Sequence, residues 1–131
     1  MEAKQKRELI EQARIAKKQS YSPYSGFSVG AALLCDDGTV IRGCNVENAS
    51  FSPTCCAERV AIFSAISMGK KAYRAIAVVG DSSPCLPCGV CRQVMAEFCD
   101  VDMPVICENE NGELLEFTVG GLLPHSFDLK K

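Results

Sequence analysis

The segment from Arg74 to Cys107 constrains the fold of this chain more than any other. Arg74–Val79 is a short apolar run of the buried-strand type. From Gly89 to Cys99, Val90, Val94, Met95 and Phe98 lie on the apolar side of a predicted helix. Pro104–Cys107 is apolar again. A strand, a helix and a second strand in this order imply a parallel pair joined by a right-handed crossover.

The flanking residues add antiparallel strands and further helices. Residues 3–19 read as an amphipathic helix with Leu9, Ile10, Ala13 and Ala16 on one side, ending before Tyr21-Ser22-Pro23. Phe27–Leu34 and Thr39–Val46 read as strands joined at Asp36-Asp37-Gly38, a hairpin signal. After Pro53, Cys56 to Met68 reads as a helix with Val60, Ile62, Phe63 and Ile66 apolar and Gly69 as its stop. Leu114–Val119 is a last strand, reached through Asn111-Gly112, and Leu122-Leu123 suggests a short final helix. The expected fold is α/β, a three-layer α/β/α arrangement with a mixed sheet of about five strands covered by helices on both faces. Its 131 residues fit a single domain, 1–131.

Composition narrows the function classes. The chain is 47% hydrophobic and 23% charged, with a net charge of -2 and a pI of about 5.4. No apolar run approaches the roughly 18 residues of a membrane span. The N-terminal MEAKQKRELIEQARIAKKQ is charged throughout and lacks the apolar stretch of a secretory signal. Neither a membrane nor a nucleic-acid partner is expected; Lys17-Lys18 and Lys70-Lys71 read as solvated pairs. Nine cysteines, an odd number, in a chain without a secretory signal point to thiols or metal ligands in a reducing, cytoplasmic setting.

The stretch SSPCLPCGVCRQ, Ser82–Gln93, holds Cys85, Cys88 and Cys91 at equal spacing, so a Pro-Cys-x-x-Cys pattern starts at Pro84 and again at Pro87. Cys88 and Cys91 sit at the predicted start of one helix; Cys56 and Glu58 sit at the start of another. Neighbouring helix N-termini gather at one edge of such a sheet, and their positive ends favour thiolates. Three thiolates suit zinc with one position open for water, and Glu58, two residues past Cys56, is placed as a proton shuttle. Against this stand simpler roles. Cys35, Cys44, Cys99 and Cys107 read as small buried apolar residues, and a Glu at a helix start is often only a dipole partner. A thiol oxidoreductase using Cys85/Cys88 or Cys88/Cys91 explains the strand-then-cysteines order but leaves Cys56-Ala57-Glu58 without a purpose. A non-catalytic zinc module is the other alternative, with His125, the only histidine, as a conceivable fourth ligand.

These motifs resemble the cytidine deaminase family in its small homotetrameric form. The resemblance runs through Tyr21-Ser22-Pro23-Tyr24-Ser25, Phe27–Ala32, Gly43–Ala49, Cys56-Ala57-Glu58-Arg59, Pro87–Gln93 and Leu122-Leu123-Pro124. It implies one zinc per chain on Cys56, Cys88 and Cys91, which selects the Pro87 register and leaves Cys85 a free thiol. It implies hydrolytic deamination of cytidine and 2'-deoxycytidine in pyrimidine salvage, a zinc-bound hydroxide attacking C4 with Glu58 moving the protons. It implies that Arg59 donates to the ligand sulfurs, that Phe27 packs on the pyrimidine, and that Ala57 offers its N–H to the base. Asn45 and Glu47, with Val46 between them, would read the ribose 3'-hydroxyl. Ala49, Phe51 and Phe127 would come from neighbouring subunits; Phe51 stands where many relatives carry Tyr. The Asn45-Val46-Glu47-Asn48 match and the acidic pI favour a free nucleoside over a blasticidin-type or nucleic-acid substrate. Arg92 receives no role.

Overall fold

In the computed structural model, which describes residues 1–130, the elements run α1 (Ala3–Lys17), β1 (Val29–Cys35), β2 (Val40–Cys44), α2 (Ala57–Ser67), β3 (Tyr73–Gly80), α3 (Gly89–Phe98), β4 (Pro104–Glu108), β5 (Leu114–Thr118) and α4 (Val119–Leu122). The strands form one sheet in the order β2-β1-β3-β4-β5. β3 and β4 are parallel, with Ile76 opposite Val105 and Ala77 opposite Ile106; every other neighbouring pair is antiparallel. The β3-α3-β4 unit is therefore the expected crossover.

Alternating side chains divide the sheet between two cores. Leu9, Ile10 and Ala13 of α1 pack on Ala32, Ala75, Ala77 and Ile106. On the opposite face Ala31, Leu33, Ile76 and Val105 meet Ala61, Ile62 and Ala65 of α2 and Met95 of α3. Burying a side chain such as Leu33 or Ile76, each 0% exposed, contributes about 1.5–3 kcal/mol. Glycines set the spacing. A Cβ on Gly30 would lie 2.0 Å from the Ala13 carbonyl oxygen, and one on Gly43 would lie 2.4 Å from that of Ala57. α1 and α2 thus approach the sheet backbone closely. No described helix is long and apolar enough to cross a membrane.

Several local expectations shift. α1 ends at Lys17, β1 begins at Val29, and β2 stops at Cys44. The apolar side of α3 is only partly the expected one: Met95 and Val94 pack inward as expected, but Val90 and Phe98 do not. Cys91 and Met95 are buried and Val94 is partly so, while Val90 (57% exposed) and Phe98 (42%) face outward. Positions 90, 94 and 98 form one stripe and 91 and 95 the next, and the second stripe turns inward. In α2 the close approach to Gly43 admits small residues, so Ala57, Ala61 and Ala65 go in with Ile62, while Phe63 and Ile66 remain exposed. Cys35 and Cys107 are buried as expected; Cys44 and Cys99 are only half-buried.

Candidate metal centre

The backbone brings two helix starts together. Cys56 is the N-cap residue of α2 and Cys88 that of α3; both are extended, and neither side chain caps its own helix. Both sulfurs are therefore free to point elsewhere, beside the unpaired N–H groups and positive ends of both helices. Cys91, one turn into α3, faces inward and is fully buried. The three sulfurs lie within 4.8 Å of one another, and Cys56 and Cys88 are 3.7 Å apart. This is far beyond a disulfide bond. With metal–sulfur bonds of about 2.3 Å, tetrahedral coordination places sulfurs about 3.8 Å apart. Three soft sulfur donors at this spacing fit zinc and leave a fourth position open. Cys85 is outside the group, and among the described residues His125 does not join it.

Charge around the sulfurs is ordered. The hydrogen bond from the Cys91 thiol, then those from Arg59 and Cys88, lower the Cys56 thiol to about 5. Cys91 is driven the other way, by that same hydrogen bond and by burial, so the pair carries its negative charge on Cys56. Arg59 donates to Cys56 Sγ at 3.4 Å, which raises its own pKa, and its buried Nε has no partner among the described residues. A guanidinium with a buried, spare Nε donor beside the sulfurs suits a centre that gains negative charge as sulfurs deprotonate on a metal. Glu58 is 3% exposed. Burial first, and the Cys56 charge second, push its carboxyl up to about 7.

The other residues singled out from the sequence divide into two sets. Ala57 is buried at the start of α2 beside Cys56. Phe27 lies against Gly80 and Cys85, since a Cβ on Gly80 would meet Cys85 Sγ at 2.6 Å and the Phe27 ring at 3.2 Å. Asn45 donates from Nδ2 to the Phe27 carbonyl (2.9 Å), and its Oδ1 accepts from the Val29 N–H (2.9 Å) and the Ser20 hydroxyl. Val46 bridges Tyr21 and Cys55. Glu47 Oε1 accepts from the N–H groups of Tyr24 (3.0 Å) and Ser25 (3.1 Å), and Oε2 accepts from the Ser25 hydroxyl. These contacts leave Asn45 one unused N–H and Glu47 one open acceptor direction on Oε2. Ala49, Phe51 and Phe127 are exposed, and none belongs to the sulfur cluster. Phe51 (74% exposed, φ 64°) and Glu47 line a recess of 260 Å³ with Tyr24, Ser25, Asn48 and Thr54.

Sequence reasoning passed over Ser20 and Ser25, whose hydroxyls orient Asn45 and Glu47 across 25 and 22 residues. The serine-rich run Ser20-Tyr21-Ser22-Pro23-Tyr24-Ser25 was the only available signal. It also passed over Arg92, which grips two carbonyl oxygens.

Fold and site together define an α/β protein with a three-sulfur metal cradle and a buried carboxylate beside it. A family model described as the cytidine and deoxycytidylate deaminase zinc-binding region matches residues 3–107. The chain is 52% identical over 120 residues to a cytidine deaminase of Sporosarcina psychrophila, covering 91% of this chain and 88% of that one. It is 54% identical over 120 residues to a cytidine deaminase of Halalkalibacterium halodurans, covering 91% of each. The crystal structure of cytidine deaminase from Burkholderia pseudomallei superimposes with a TM-score of 0.89 at 46% identity, covering 97% of this chain and all of that one. The chain belongs to the zinc-binding cytidine and deoxycytidylate deaminase family.

Proposed function

We propose that this protein, acting as a single catalytic domain over residues 1–131, hydrolyses cytidine and 2'-deoxycytidine to uridine and 2'-deoxyuridine with release of ammonia, a step of pyrimidine salvage. The observation that carries the reading is the buried Glu58 carboxyl, poised near neutrality, beside the Cys56, Cys88 and Cys91 sulfurs. Zinc bound by those sulfurs would supply Lewis-acid activation of a water. Glu58 takes a proton from the attacking water and delivers it to N3 of the ring. It then takes the remaining proton from the new C4 hydroxyl and gives it to the amino group, which leaves as ammonia while C4 becomes a carbonyl. A pKa of about 7 lets one carboxyl accept and donate at neutral pH. Arg59 and the two helix N-termini offset the negative charge of three thiolates.

The nucleoside lies between these groups and the Asn45–Glu47 pair. Phe27 packs on the pyrimidine, and the Ala57 N–H meets the base. One spare donor on Asn45 and one spare acceptor on Glu47 match a single hydroxyl, which both donates and accepts. We assign that hydroxyl to the ribose 3' position, with Val46 holding the pair in register. Such a site discriminates strongly against a substrate lacking the group. Ala49, Phe51 and Phe127 complete a neighbour's site in a homotetramer. The outward Phe51, Phe63, Ile66 and Phe127 are the apolar surface such an assembly would cover. Nine cysteines with no disulfide between them suit a cytoplasmic location.

An ultraviolet assay of the purified protein with cytidine, with zinc measured in the same sample, tests the reading. Turnover with about one zinc per chain is expected. Bound zinc without turnover of cytidine or deoxycytidine would contradict it, and dithiol turnover without zinc would favour an oxidoreductase.

A further inference from the structure

The loop Ser82–Pro87 leads into Cys88, a metal-competent residue that is itself exposed. Among the described residues, two hydrogen bonds reach the backbone of this loop. The Cys107 thiol donates to the Cys85 carbonyl at 3.3 Å, and Arg92 Nε donates to the Pro87 carbonyl at 2.8 Å. The first is a weak thiol bond; the second is a charge-assisted one. The same guanidinium donates from Nη1 to the Leu122 carbonyl at 2.9 Å, one of the unpaired carbonyls at the end of α4. One residue further, Gln93 Nε2 donates to the Phe127 carbonyl at 3.1 Å. The start of α3, just past Cys91, is thus tied to the C-terminal segment.

We propose that Arg92 is a positioning residue of the metal centre: its guanidinium bridges the Pro87 and Leu122 carbonyls and holds the Cys88 sulfur in place for the ion. This rests on Cys88 and Cys91 being metal ligands. Arg92 works differently from Arg59, which donates to a sulfur directly. Pro87 is itself buried, and Arg92 fixes its carbonyl, so the peptide just before the exposed Cys88 is held by packing and by hydrogen bonding together. The planar fork matters because one group must reach two carbonyls from fixed directions; an ammonium on a flexible stem does not reproduce that geometry.

The test follows zinc release from the purified, zinc-loaded protein to a chromophoric chelator, together with the sulfur-to-metal absorption of the cobalt-substituted form. Arg92→Ala is expected to release zinc about 10–100-fold faster, the range typical of groups that orient metal ligands. It should also alter the cobalt absorption. Arg92→Lys should recover only part of the loss, and Gln93→Ala, which frees only the Phe127 carbonyl, should release zinc close to the native rate. If Arg92→Ala does not fold, Arg92→Lys decides, since a native release rate there overturns the proposal. A lowered melting temperature with unchanged release and an unchanged cobalt spectrum overturns it as well, because that is the signature of a purely structural clamp. Cys88→Ser separates the two levels. Loss of zinc there with native release in Arg92→Ala removes only the role of Arg92. Zinc retained in Cys88→Ser removes the metal assignment beneath it.

Discussion

The starts of α2 and α3 are built from similar sequence and do different work. Each opens on an extended cysteine that leaves its own helix uncapped, and each carries an arginine within the next turn, Arg59 three residues after Cys56 and Arg92 four after Cys88. At α2 the arginine turns inward, its guanidinium reaching the Cys56 sulfur, and Glu58 is buried beside it. At α3 the half-buried arginine binds backbone carbonyls instead, while Cys88 remains exposed. The α2 start is held by packing: Ala57 and Ala61 lie hard against Gly43. The α3 start is anchored by Pro87, which is buried, and by the hydrogen bonds of Arg92 to the Pro87 and Leu122 carbonyls. The two starts thus support one sulfur group in different ways: the arginine of α2 meets a sulfur directly, and that of α3 fixes the backbone beside one.

That contrast can be broken most severely at the ligands. Cys56→Ser and Cys91→Ser are each expected to lose bound zinc and nearly all turnover, read from zinc per chain and initial rates. Cys91→Ser should also unfold more readily, because a hydroxyl left unpaired in that core costs about 1–3 kcal/mol. Retained zinc in either variant would dissolve the pairing of the two helix starts. Arg59→Ala should have an intermediate effect, about 10–100-fold in zinc retention or in rate. Unchanged metal content and kinetics would remove Arg59 from the support of the sulfurs. Cys85→Ser should change least, keeping zinc content and activity near native. Cys85 is half-buried, outside the sulfur group, and burial pushes its thiol up to about 11, which keeps it protonated. A Cys85→Ser variant without zinc would show that the sulfur set is drawn in the wrong register.

Much of this arrangement is legible in the sequence, for physical reasons that differ by region. The β3-α3-β4 unit follows from apolar runs at strand length on either side of a helical one, and chain chirality permits one sensible way to connect them. The metal-competent cysteines stand out because two helix starts supply sulfurs together with a carboxylate. Three equally spaced cysteines, in contrast, offer two registers by spacing alone. Family resemblance selected Cys88 and Cys91, and the folded chain brings those two to Cys56. The inward face of α3 was only partly legible: Met95 and Val94 were expected there, and Cys91 was not. Val90, Val94 and Phe98 repeat every four residues as evenly as Cys91 and Met95 do, and periodicity cannot rank the two stripes. The roles of Ser20, Ser25 and Arg92 were not legible, because their hydrogen bonds join residues brought near only by folding.

The central claim is that Glu58 moves the protons while the three sulfurs hold the metal. The direct measurement is zinc content and cytidine turnover of Glu58→Gln in one preparation. The substitution keeps the shape of the side chain and removes its ability to accept a proton. Zinc at the native level with turnover reduced by at least about 100-fold is the predicted result. Turnover near the native rate in a zinc-loaded Glu58→Gln protein would contradict it.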